Sequence, residues 1–189
     1  MTILVDHVRN GVLQQIRLCV EARLHVAAGA PDRLVVMSQT FLTQTFRIED
    51  DGHHTFARSK SWSAVVLAGA QPAIVTVRET REQFIFSSLR LGEYPERVIH
   101  AMAELEAVFA SDPRRYRCRL VSLEGGVFSA VCLHARRKPW PYVIVADRRL
   151  LDRDALRVET NLQSLWARAR AAATHSAQKT NLLSVADSP

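Results

Sequence analysis

Apolar residues recur along the chain with two different periods, and the change of period marks out the elements. From Leu4 to about Ala28, Val5, Val8, Val12, Ile16, Cys19, Val20, Leu24 and Ala27 fall at helical spacing. Thr2 is the expected cap of that helix, and Gly29 with Pro31 its stop. From Arg33 to about Glu79 the pattern is β-rich. Leu42, Phe46 and Ile48 alternate with polar residues, which buries one face of a strand. The turn signal EDDG, ending at Gly52, leads into a hairpin partner, and a three-residue loop places Phe46 opposite Phe56. Ser61 to Ala68 is a short apolar run that fits a helix or a strand. Ala73 to Val77 is predicted as a strand, with Gln83 to Ser87 as its partner.

Helical spacing returns at Pro95 to Ala110, where Val98, Met102, Leu105, Val108 and Phe109 form the stripe. Tyr116 to Leu133 then reads as a hairpin turning at Gly125-Gly126. Two registers compete. A two-residue loop pairs Cys118 with Leu133 and Leu120 with Val131; a three-residue loop pairs Cys118 with Cys132 and Leu120 with Ala130. The first makes the more apolar face and is preferred. Tyr142 to Ala146 is a further strand, and Asp152 to about Ala173 a last helix. After His175 the pattern fades. The expected organisation is one domain over residues 1–175 and a mobile tail over 176–189. Strands joined by short turns, with helices before, between and after them, predict an α+β fold. Its sheet is mainly antiparallel, packed against two or three helices. Some secretion chaperones share this element order, at the level of architecture alone.

Composition is that of an ordinary globular chain, and no run of about 18 or more apolar residues exists to span a membrane. The first residues lack a secretory layout, and the three cysteines, Cys19, Cys118 and Cys132, are an odd count. Both point to reduced thiols and a cytoplasmic location. No cofactor motif occurs: no P-loop, GxGxxG, GxSxG or HExxH.

Charge changes the picture more. The net charge is +6, and the segment from Asp112 to Arg153 carries all of that excess, with ten bases and four acids. In either hairpin register, Arg114, Arg115, Arg117 and Arg119 gather at the same end as Arg136, Arg137 and Lys138. Alternation sets Arg115, Arg117 and Arg119 on one strand face. Guanidinium forks suit phosphate or carboxylate, and Trp140 and Tyr142 add ring surfaces beside them. The candidate ligand-binding set is therefore Arg115, Arg117, Arg119, Arg136, Arg137, Lys138, Trp140 and Tyr142. It predicts a non-enzymatic binding or adaptor protein whose basic, aromatic-flanked sheet corner meets an anionic partner. Nucleic acid, an acidic protein or a phosphorylated ligand would each fit. The alternatives are a protein-interaction or chaperone-like module working through its sheet or helices, homodimerisation included, and a small enzyme. For the enzyme, Cys132 with His134 is the candidate catalytic pair, since i and i+2 share a strand face. Asp51, His53 and His54 are the candidate metal ligands, although one loop of alternating directions seldom converges on an ion.

Overall fold

The computed structural model describes residues 2–3, 11–12, 14–16, 18, 34–49, 51, 53–57, 60–68, 71–81, 83–124, 127–136, 140–147 and 158–186. Nine strands build one sheet: β1 (Thr2–Ile3), β2 (Leu34–Ile48), β3 (His54–Phe56), β4 (Ser61–Ala68), β5 (Gln71–Glu79), β6 (Phe84–Arg90), β7 (Arg115–Leu123), β8 (Phe128–His134) and β9 (Tyr142–Asp147). Three helices occur among the described residues: α1, helical at residues 11–12, 14–16 and 18; α2 (Glu93–Val108); and α3 (Leu162–Ala186). The fold is α+β with a large, mostly antiparallel sheet.

The main strand order is β6-β5-β4-β2-β7-β8-β9. Two antiparallel runs meet at the parallel pair β2–β7, in register from Leu42↔Arg119 to Phe46↔Leu123. β3 extends the β4 side of β2, with Phe46↔Phe56 as the alternation predicts. In the β7–β8 hairpin, Cys118 pairs with Leu133 and Leu120 with Val131, the register that makes the more apolar face. Thr2 is no helix cap. With Ile3 it forms β1, parallel to β7 at Arg115 and Tyr116, just before the stretch of β7 that β2 pairs.

Side-chain alternation sends each strand to two cores. On one face α2 lays Val98, Ala101, Met102 and Leu105 on Val65, Ile74, Tyr116, Cys118, Leu120 and Val143. The other face is divided. Val12 and Ile16 of α1 cover Ala64, Val66, Ala73, Val75 and Val77, while Leu165, Ala169 and Ala172 of α3 cover Val121, Ala130, Cys132, Tyr142 and Ile144. Phe46 joins the α3 layer through edge-to-face contacts with Trp166, Phe56 and Phe128, at centroid distances of 5.2, 6.2 and 6.5 Å. The apolar run from Ser61 to Ala68 is a strand because both its faces are covered.

The last helix starts later than its apolar spacing suggests. Asn161 caps it, with Oδ1 accepting the Gln163 N–H at 3.0 Å. Just upstream, Glu159 exchanges two main-chain hydrogen bonds with Tyr142, at 2.8 and 2.9 Å. Val158 packs into the α2 layer while Leu162 and Leu165 pack under α3, so the regular spacing serves two different faces. At its far end the helix runs to Ala186, through residues that the fading pattern assigns to a tail.

Strand β6 turns into α2 at Gly92, whose φ of 84° and ψ of −151° belong to a region essentially restricted to glycine. A Cβ there would meet no atom within 4 Å, so any penalty is backbone strain alone. Gly92→Ala is expected to lower unfolding stability by about 1–3 kcal/mol with no change of fold. Urea unfolding followed by circular dichroism checks both halves of that statement.

Candidate functional site

The basic corner is built by β7 and β8. Their register puts Arg117 opposite His134 and Arg119 opposite Cys132, so these four share one face, and alternation adds Arg115. This is the face that α1 and α3 cover farther out. A row of paired residues crosses it: Trp62, Leu42, Arg119, Cys132 and Tyr142. Arg119 stands in the middle of that row. Its Nη1 donates to Gln44 Oε1 at 3.1 Å. Its Nε is buried and has no hydrogen-bond partner among the described residues. An amide holds this guanidinium in place and leaves its charge uncompensated by that bond. Arg115, Arg117 and Arg136 are exposed, while Arg119 is half-buried.

An aromatic pair stands beside the arginines. The Trp140 ring lies against His134, with centroids 4.2 Å apart and planes at 43°. The Trp140 indole N–H donates to the carbonyl of Ala135 at 2.8 Å, which ties Trp140 back to the end of β8. Arg137 and Lys138 lie outside the described residues.

Three aromatic or basic residues of the segment are used structurally. Tyr142 is a correction to the ligand-binding set: it is fully buried beneath α3. Its hydroxyl donates within the protein, with Glu159 Oε2 at 2.8 Å and the Asn161 carbonyl at 2.9 Å. Burial first, then the bond to Glu159, pushes its phenol well above the ordinary tyrosine range. Tyr116 is buried on the opposite face, and its hydroxyl reaches Asp112 Oδ2 at 2.9 Å. Arg114 forks onto the same carboxylate, Nη2 to Oδ2 at 2.6 Å and Nε to Oδ1 at 3.0 Å. Those bonds from Arg114 hold the Asp112 carboxyl far below its usual range. Arg114 therefore braces the start of β7 and drops out of the corner.

Cys132 and His134 do share a face, as the spacing predicts, yet Cys132 is buried among Val121, Ala130 and Tyr142. Burial pushes its thiol up to about 12, with Cys118 adding to the rise and Arg119 opposing it. A thiol held protonated is no nucleophile at neutral pH. The Glu49–His53 turn is closed by its own bonds. Asp51 Oδ1 accepts the His53 backbone N–H at 2.9 Å. Glu49 Oε1 accepts from the Thr55 hydroxyl at 2.6 Å and from Arg47 Nε at 2.7 Å. Among the described residues no group of three or more His, Cys, Asp or Glu is placed to hold a metal ion, and no helix is long and apolar enough to cross a membrane.

The chain matches no family model, no curated protein and no solved structure.

Sequence reasoning found the arginine alternation and missed Gln44. Its one legible signal is position: a polar residue on the apolar-facing side of β2, between Leu42 and Phe46.

The Cys132 thiol carries a pH signature. Its folded pKa lies above the unfolded value near 9, so the stability it contributes is complete below that value and is lost as pH climbs toward 12. The urea midpoint is expected to fall above about pH 9, and to fall less steeply in Cys132→Ala. A thiol-reactive dye at about pH 8 should modify Cys132 only as fast as the protein opens. Immediate labelling of Cys132 itself in the native protein, located by peptide mass mapping, would contradict this burial.

Proposed function

We propose that the protein is a binding protein that captures an anionic partner, a single-stranded nucleic acid first among the candidates, on the face built by Arg115, Arg117, Arg119 and Arg136. The observation that carries this reading is Arg119. It is a guanidinium fixed in mid-sheet by an amide, with its Nε unpartnered among the described residues, flanked in its own strand by exposed arginines.

The physics follows from that placement. A forked guanidinium held rigid loses little entropy when it meets a phosphate or carboxylate. The exposed arginines around it act at longer range, steering a polyanion and releasing its counterions on contact. The half-buried Trp140–His134 pair, next to Arg117 through the Arg117–His134 pairing, supplies the aromatic surface on which a base would stack. The mechanism is charge-assisted hydrogen bonding with stacking, and it has no chemical step.

The test is a fluorescence-anisotropy titration of a labelled mixed-sequence single-stranded oligonucleotide over a range of salt. Binding should weaken with salt. Replacing Arg115, Arg117 and Arg136 by glutamine should lower the log–log salt slope by about 2, at roughly 0.7 per lost phosphate contact on a single strand. Trp140→Ala should weaken binding by about 1–3 kcal/mol with the slope unchanged. Competition by polyglutamate but not by oligonucleotide would move the partner to an acidic protein. Binding that ignores the glutamine substitutions would sink the proposal.

A further inference from the structure

The opposite face of the sheet carries a different chemistry, in the part that lies before the body of α2. Hydroxyls there form chains across neighbouring strands. Thr43 Oγ1 and Ser63 Oγ are 2.6 Å apart, and Ser63 Oγ and Thr76 Oγ1 are 2.7 Å apart. Ser122 and Ser129 pair at 2.9 Å on β7 and β8. Ser63 and Ser129 are fully buried. Thr43, Thr76 and Ser122 line a cavity of about 210 Å³, floored in part by Leu120.

Proton counting shows what this wall offers. Three hydroxyls in a chain hold three O–H groups, and two of them are used within the chain. Ser63, in the middle and buried, donates to one neighbour and accepts from the other. One terminal hydroxyl, on Thr43 or on Thr76, therefore keeps a proton to donate into the cavity, while the other end presents lone pairs. Reversing the chain exchanges the two roles. The Ser122–Ser129 pair likewise has one proton left over.

Two residues from the β6–α2 junction close the site. Tyr94, in the first turn of α2, lines the cavity, and its hydroxyl is buried with no partner among the described residues. Arg90, the last residue of β6, lies with its guanidinium 4.7 Å from the centre of the Tyr94 ring. Among the described residues it is the one charged residue lining the cavity. The positive φ at Gly92 allows the chain to reverse tightly enough for Arg90 and Tyr94 to meet.

We infer that this cavity binds a small anionic polyol, a sugar phosphate or a sugar acid. An apolar ligand would strand the hydroxyls, and a cation would find a guanidinium and, among the described residues, no carboxylate. Hydroxyls that each donate or accept suit a ligand whose own hydroxyls do the same. The Arg90 fork suits its anionic group. The volume is that of roughly seven liquid-water molecules, enough for one sugar ring.

The experiment is calorimetric titration of the whole chain with glucose 6-phosphate, gluconate, glucose and inorganic phosphate. Glucose 6-phosphate or gluconate should bind, and glucose and phosphate alone should each bind at least about tenfold more weakly. Thr76→Val keeps the side-chain shape and removes the hydroxyl; Arg90→Gln removes the charge. Each should weaken binding about tenfold or more, and Tyr94→Phe should weaken it several-fold. The glutamine triple variant at Arg115, Arg117 and Arg136 should bind these probes like the parent, since those arginines lie on the other face. No binding of either anionic polyol at about 10 mM would overturn the inference. So would phosphate binding as tightly as glucose 6-phosphate, or binding indifferent to both Thr76→Val and Tyr94→Phe.

Discussion

Everything distinctive in this molecule rests on five residue pairs, the parallel contact of β2 with β7 from Leu42↔Arg119 to Phe46↔Leu123. Without it the chain would form two separate antiparallel meanders, β2 to β6 and β7 to β9. Parallel neighbours cannot be joined by a tight turn, so the chain between them must cross over. Here the crossover contains four strands and α2, and α2 lies back across the sheet against β5, β8 and β9, on both sides of the junction. The contact sets the mid-sheet position of Arg119, and it puts Thr43 beside Leu120. Both candidate sites are therefore products of one long-range pairing.

That pairing is also what the sequence could not disclose. Short-range signals are readable: the Phe46–Phe56 hairpin, the apolar-face register of β7 with β8, and the α2 stripe at Val98, Met102 and Leu105, although Val108, assigned to the same stripe, is exposed. Each depends on residues close together in the chain, where turn chemistry and alternation decide the outcome. The order of the sheet depends on contacts about 77 residues apart, as in Leu42↔Arg119, and no local pattern encodes them. Ser61 to Ala68 could not be read because burial on both faces erases alternation. The start of α3 was misread because Val158 and Leu162 serve different layers at a spacing that mimics one helix. The arginine face was legible as charge and alternation. Gln44 was not, because its role exists only once β2 lies beside β7.

The sheet separates two kinds of polarity by its thickness. One face presents positive charge at Arg115, Arg117 and Arg119, and the other presents neutral hydroxyls beyond the body of α2. The pleat keeps them apart, since neighbouring residues point to opposite sides. Leu120 floors the hydroxyl cavity while Arg119, one residue away, belongs to the cationic face. The two surfaces thus share strands and no side chain.

The main-chain exchange between Tyr142 and Glu159 has a consequence for how this chain can vary. It joins the first residue of β9 to the residue that precedes the cap of α3 by two positions, so both ends of the intervening chain are anchored independently of what lies between. Lengthening the chain between two paired residues costs little, about 0.6 kcal/mol for each doubling. The pairing of β9 with the start of α3 therefore constrains the fold without constraining how much chain separates the two partners.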